Sequence, residues 1–264
     1  VLRRRLAWGV VGVVAVLVVG LVVWDRDFRQ ASGQIPGMTC PQVVRPSAHE
    51  PLAAIGVHRV ALVGDSIMEQ ASCSVADSLA RVGLTTYRYA VAGSGLLTGF
   101  VDWPSRIAQI LRADHPDVVA AIFVGNYIGP PVRNATGQPI ADNTPAFFAA
   151  WQMQAERISA EVLASGAQMF WVSPPPIVRA PLNWADRLFD GYRAIPGDHV
   201  LLSGRVLAGS GGQEVLAKQT CGHLEVVRSL DHTHLSDAGA RLYGEQIAHD
   251  LTSQLGILVT PKPC

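Results

Sequence analysis

Residues 57–82 read VHRVALVGDSIMEQASCSVADSLARV, and this stretch decides the fold. Its first part, Val57 to Val63, is a short β-branched apolar run broken only by His58 and Arg59. Such a run suits a strand buried on both faces. Gly64, Asp65 and Ser66 end it. From Ile67 the period changes, and Ile67, Ala71, Val75, Leu79 and Val82 fall on one face of a helix. A strand that turns directly into a helix opens a parallel βαβ unit.

Working outward, the same alternation repeats. A strand over Leu84–Val91 leads through a Gly-rich turn to a helix over Pro104–Arg112, then to a strand over Asp117–Val124. A helix over Pro145–Ser165 and a strand over Ala167–Val172 follow. The segment Pro174–Gly222 is rich in Pro and Gly and shows no regular pattern. Leu224–Ser229 fits a last strand, and Ser236–Leu255 fits a helix N-capped by Ser236. There is no internal repeat. The pattern predicts one α/β domain with a central parallel sheet, occupying residues 56–264.

Upstream the composition changes. From Leu6 to Trp24 no residue carries a charge, and as a helix the run is about 28 Å long, enough to cross a membrane. Arg3, Arg4 and Arg5 precede it, which favours a cytoplasmic N-terminus and an exported remainder. Trp24, Asp25, Arg26, Asp27 and Phe28 follow in place of a small-x-small cleavage site, so residues 1–28 are read as an uncleaved anchor. A cleaved signal peptide and a buried core helix are the alternatives. Residues 29–55, with Pro36, Pro41, Pro46 and Pro51, read as an extracytoplasmic linker.

Of the 264 residues 49% are hydrophobic and 16% charged, which excludes a disordered chain. Basic and acidic side chains number 21 each, and a zero net charge argues against nucleic acid as a partner. In an exported domain, Cys40, Cys73, Cys221 and Cys264 fit two disulfides, with all three pairings open. Four buried thiols are the alternative.

In an open parallel sheet, ligands collect beyond the carboxyl ends of the strands, so reactive residues should follow strands directly. Ser66 does, at a helix N-terminus where backbone N–H groups favour developing negative charge. Asp231-His232-Thr233-His234 precedes the last helix, and His is the usual base for a Ser nucleophile, with an Asp to fix its tautomer. Two turns, Ala92-Gly93-Ser94-Gly95 and Gly125-Asn126-Tyr127, offer backbone and amide donors to an oxyanion. Each element alone is ordinary: Ser is a common N-cap, and Gly and Asn are common in turns. The His232-x-His234 spacing raises a metal, but no other cluster supplies the remaining ligands at a recognisable spacing. No G-x-S-x-G elbow or phosphate-binding P-loop occurs, and position 98 is Thr where a dinucleotide fingerprint needs Gly.

Taken together, the blocks resemble the SGNH (GDSL-type) hydrolase superfamily over roughly Val57 to Leu255. The resemblance implies a flavodoxin-like three-layer α/β/α sandwich. It assigns Ser66 as nucleophile, Asp231 and His234 as the rest of a triad, and Asn126 as an oxyanion donor beside the Ser66 N–H. For the second-block glycine donor both Gly93 and Gly95 are carried. Tyr127 departs from the acidic residue usual after the family's Asn, at the expected pocket edge. Trp103 and Tyr127 are candidates to line a pocket, whereas Trp151, Trp171, Phe147, Phe148 and Phe170 read as core.

The expectation is a membrane-anchored, extracytoplasmic serine esterase acting on an ester of an envelope glycan or lipid, with no metal or organic cofactor. Transfer of the acyl group to a carbohydrate, and a non-catalytic binding protein on the same fold, are the alternatives.

Overall fold

Successive side chains of a strand point to opposite faces, and here that alternation divides the buried residues into two cores. The computed structural model describes residues 40–46, 56–99, 101–127, 129, 131–180 and 182–257. Its elements are β1 (Val43–Val44), β2 (Arg59–Gly64), α1 (Ser66–Arg81), β3 (Thr85–Arg88), α2 (Trp103–Asp114), β4 (Val118–Ile122), α3 (Pro145–Ala164) and β5 (Gln168–Val172). Then come α4 (Ala185–Arg193), β6 (His199–Leu201), β7 (Ala217–Thr220), β8 (His223–Val226) and α5 (Asp237–Gln254). Single 3-10 turns lie at Leu182–Trp184 and Ser203–Leu207.

On one face, Val60, Leu62, Val118, Ala120, Ile122, Phe170 and Val172 pack against Ile67, Ala71 and Val75 of α1 and Tyr243, Ile247 and Leu251 of α5. On the other, Ala61, Val63, Val119, Ala121, Met169 and Trp171 pack against α2, α3 and α4, with Trp103, Trp151 and Tyr192 as the large fillers. Three layers follow from this division. At about 1.5–3 kcal/mol for each large apolar side chain removed from water, these two faces supply the main drive to fold.

The sheet order is β1-β3-β2-β4-β5-β6, and β2 to β6 pair in parallel. Without β1, the order is the flavodoxin-like one, in which the first strand lies inside the second and beside the third. Three expectations need correction. The sheet is parallel except for an antiparallel edge: Val43 pairs with Tyr87 and Val44 with Thr86, so part of the stretch read as linker joins the sheet. The predicted last strand, Leu224–Ser229, is not in the sheet. β8 pairs antiparallel with β7 in a separate hairpin, while β6, inside the unread segment, closes the sheet. Trp103, a candidate pocket residue, is instead a core filler: it is fully buried and packs edge-on against Phe123.

A disulfide joins Cys40 to Cys73 of α1, and Cys221 is disulfide-bonded as well. Among the described residues no helix is long and apolar enough to cross a membrane. Residues 6–24, where the sequence predicts a span, lie outside the described residues, as does Cys264.

Candidate active site

Ser66 sits where β2 gives way to α1. The strand leaves at Gly64, whose φ is +150°, and a Cβ there would stand 2.2 Å from the Ile122 carbonyl oxygen of the neighbouring strand. Only glycine lets the chain turn this close to β4. Asp65 then caps α1, its carboxylate accepting from Ile67 N–H at 3.0 Å and from Val124 N–H at 2.7 Å. Ser66 is thereby the first residue of the helix, beyond the carboxyl end of the central strand. Burial pushes the Asp65 carboxyl up to about 7, against the hydrogen bonds from Val124 and Ile67 and the charge of His234.

The Asp231–His234 turn brings the other two groups to the same place. Asp231 Oδ1 accepts from the N–H groups of Thr233 (3.0 Å) and His234 (2.9 Å), folding the turn around its own carboxylate. His232 takes the left-handed conformation, φ +58°, that the turn requires. The His234 ring lies between its partners: Nδ1 is 2.5 Å from Asp231 Oδ2 and Nε2 is 2.9 Å from Ser66 Oγ. Burial opposes charge on Asp231, but the ring and backbone hydrogen bonds from His234 and Thr233 hold its carboxyl well below the usual carboxylate range. An anionic Asp231 fixes the tautomer that leaves Nε2 free to accept the Ser66 proton.

The turn is seated on α1 by Gln70, one helical turn beyond Ser66. Its amide donates to Leu235 O at 3.3 Å and accepts from Leu235 N–H at 3.0 Å. Sequence reasoning missed Gln70, which lies on a mixed helix face with Ser66, Cys73 and Ser74 and so carries no pattern signal. Arg228, Glu214 and Arg179, which hold the same turn from the other side, were missed too.

The oxyanion candidates fall into place unequally. Asn126 follows β4 and is buried. Its Nδ2 donates to Ser94 O at 3.1 Å and to Asp65 Oδ2 at 3.3 Å, so as an oxyanion donor it exchanges the longer of these bonds. Gly95 packs its Cα against Asn126: a Cβ there would stand 2.1 Å from the Asn126 carbonyl oxygen. The Gly95 N–H is already given to Thr98 Oγ1 at 2.9 Å. Gly93 lies in the same turn after β3, two residues nearer that strand. Tyr127 is half-buried, and its hydroxyl joins Ile140 O and Val132 N–H, each at 2.8 Å, pinning the loop beside the site. The two imidazoles of the His-x-His pair turn to different partners, since His232 Nδ1 meets Glu214 Oε1 at 2.8 Å.

A flavodoxin-like parallel sheet with helices on both faces is the fold of the SGNH/GDSL hydrolases. Three solved structures share it. A G-D-S-L family protein from Desulfitobacterium hafniense DCB-2 matches at TM-score 0.52 and 15% identity, covering 72% of this chain and 98% of that one. The psychrotrophic esterase EstA from Pseudoalteromonas sp., in a form inhibited by monoethylphosphonate, matches at TM-score 0.50 and 11% identity over 75% and 99%. LAE5, an alpha/beta hydrolase enzyme from the metagenome of Lake Arreo, matches at TM-score 0.50 and 14% identity over 77% and 97%. At these identities the likeness is one of fold. The chain belongs to the family described as Protein of unknown function (DUF459), whose model matches residues 59–250. No curated protein matches the sequence.

Proposed function

We propose that this protein is an SGNH-type serine hydrolase that cleaves carboxylic esters, with Ser66 as nucleophile. One observation carries the reading: the unbroken hydrogen-bonded chain from Ser66 Oγ through the His234 ring to Asp231. His234 Nε2 takes the Ser66 proton as Oγ attacks the acyl carbon. The oxyanion is received by the Ser66 N–H at the start of α1, by Gly93 N–H and by Asn126 Nδ2. Gly93 is preferred over Gly95 because the Gly95 N–H is engaged by Thr98. The imidazolium then protonates the departing alcohol, leaving an acyl-Ser66 ester. Water attacks that ester while His234 takes its proton, and Ser66 recovers its own as the acid leaves. Asp231 stays ionised throughout.

Location belongs to the same proposal. The uncharged run at 6–24 acts as an anchor and places the domain outside the membrane, which points to an envelope glycan or lipid ester as substrate. The Cys40–Cys73 disulfide supports an oxidising compartment. Protease added to intact cells should digest the domain and spare a short N-terminal fragment; a fully protected domain rejects this placement.

The chemistry is tested by mixing the purified full chain with a fluorophosphonate and weighing the intact protein. One adduct is expected on the wild type and none on Ser66→Ala. An adduct that persists in Ser66→Ala removes Ser66 from the mechanism.

A further inference from the structure

A buried arginine, Arg228, ties the segment Pro174–Gly222 to the Asp231–His234 turn. Arg228 is 1% exposed. Its Nη1 donates to Thr233 O at 2.8 Å and its Nη2 to Pro176 O. The N–H of that same Thr233 is held by Asp231 Oδ1. The turn's central peptide units are therefore gripped from two directions, by a guanidinium and by a carboxylate. Two bridges run alongside. Glu214 joins His232 Nδ1 to Val178 N–H, at 2.8 and 3.1 Å, and Arg179 Nη1 reaches Asp231 O at 3.2 Å.

A guanidinium this deep is costly. Burial pushes its pKa down, and the charges of Glu214 and Asp231 work the other way. An apolar side chain of similar volume would fill the space without that cost. Packing therefore does not account for an arginine here, whereas two carbonyl acceptors and a nearby carboxylate do.

We propose that Arg228 is a positioning residue for the hydrolytic site: its two carbonyl bonds hold the Asp231–His234 turn in register against the 174–179 segment. This rests on the function proposed above.

The test compares the full wild-type chain with Arg228→Met and Arg228→Lys, each shown to be folded by near-UV circular dichroism. Rates of fluorophosphonate labelling at Ser66 are compared at about pH 8. For Arg228→Met, labelling should slow about 30- to 100-fold as the turn loses its register. Arg228→Lys can still donate to one of the two carbonyls, so it should recover part of that loss and fall no more than about tenfold below wild type. A wild-type rate in Arg228→Met, or an Arg228→Lys rate as low as that of Arg228→Met, overturns the proposal. If Arg228→Met does not fold, Arg228→Lys decides alone: a slower rate supports the proposal and a wild-type rate overturns it. A wild type that takes no adduct rejects the function and not the role of Arg228. The comparison then passes to the NMR signal of the His234 Nδ1 proton, which its bond to Asp231 holds in place; it should broaden or vanish in Arg228→Met, and an unchanged signal overturns the proposal.

Discussion

Asp231 and Asp65 are both carboxylates within reach of His234, yet their surroundings drive them apart. Asp231, ringed by N–H donors, stays ionised and orients the imidazole. Asp231→Asn keeps the shape of the turn but stabilises the wrong tautomer, so kcat for ester hydrolysis should fall by roughly 10³–10⁴ with the thermal melt little changed. A loss below tenfold would mean that Asp231 is not needed to orient His234. Asp65 is fully buried, and the folded protein retains its proton up to about pH 7, whereas an unfolded chain releases it near 4. Folding thus takes up a proton in that window, and stability falls as pH rises from about 4 to about 7. Thermal melts should show a shallower slope in Asp65→Asn than in the wild type, the remainder coming from Glu69, Asp186 and Asp198, whose carboxyls burial also raises; parallel curves would place the Asp65 proton elsewhere. Ser66, Asp231, His234 and Asn126 were legible in the sequence because each lies in a short motif with fixed spacing from a strand or helix end. Gln70, Glu214 and Arg228 were not. Their partners are reached only through the fold, and Arg228 sits in an apolar run, LEVVRSL, that periodicity reads as strand.

The elements that periodicity located best are those buried on a full face, such as α1, β4 and α3, where burial dictates residue type at each turn or step. It failed where burial is partial. Leu224 and Val226 of β8 look like sheet residues yet are 68% and 60% exposed, because their strand pairs only with β7. Pattern alone reports a β-branched run and is silent about its partner. β1 is a two-residue strand that no period could reveal, and it is held by other means. Cys40 is bonded to Cys73 of α1, and Arg88 of β3 reaches the Cys40 and Pro41 carbonyls and Ser72 Oγ. The bond closes a loop with a sequence separation of 33, for which the loss of unfolded-state entropy is worth about 3–4 kcal/mol. Cys40→Ser should lower the free energy of unfolding by up to that amount while leaving the fluorophosphonate labelling rate close to wild type. A matching loss of labelling would show that β1 also shapes the site.

At the scale of the molecule, a single α/β domain and a candidate site at the carboxyl ends of its strands were both foreseeable, since alternating elements allow few arrangements and the sheet concentrates its loops on one edge. The upstream boundary was not. Sequence places it at residue 56, where the apolar run begins, but the compact unit spans Met38–Cys264. Residues 40–46 contribute an edge strand, a disulfide and two carbonyl acceptors for Arg88. Two truncations separate these boundaries. A fragment of residues 38–264 should be folded without detergent and take one phosphonate adduct at Ser66, because both cores and the whole hydrogen-bonded chain lie inside it. A fragment of residues 56–264 keeps the same cores but strips the cover from β3 and leaves the half-buried Arg88 guanidinium without its carbonyl acceptors. It should unfold at lower denaturant concentration, by more than Cys40→Ser alone, and expose the β3 edge to aggregation. Equal stability of the two fragments would return residues 40–46 to the linker. Equal stability of the shorter fragment and Cys40→Ser would assign their whole contribution to the disulfide.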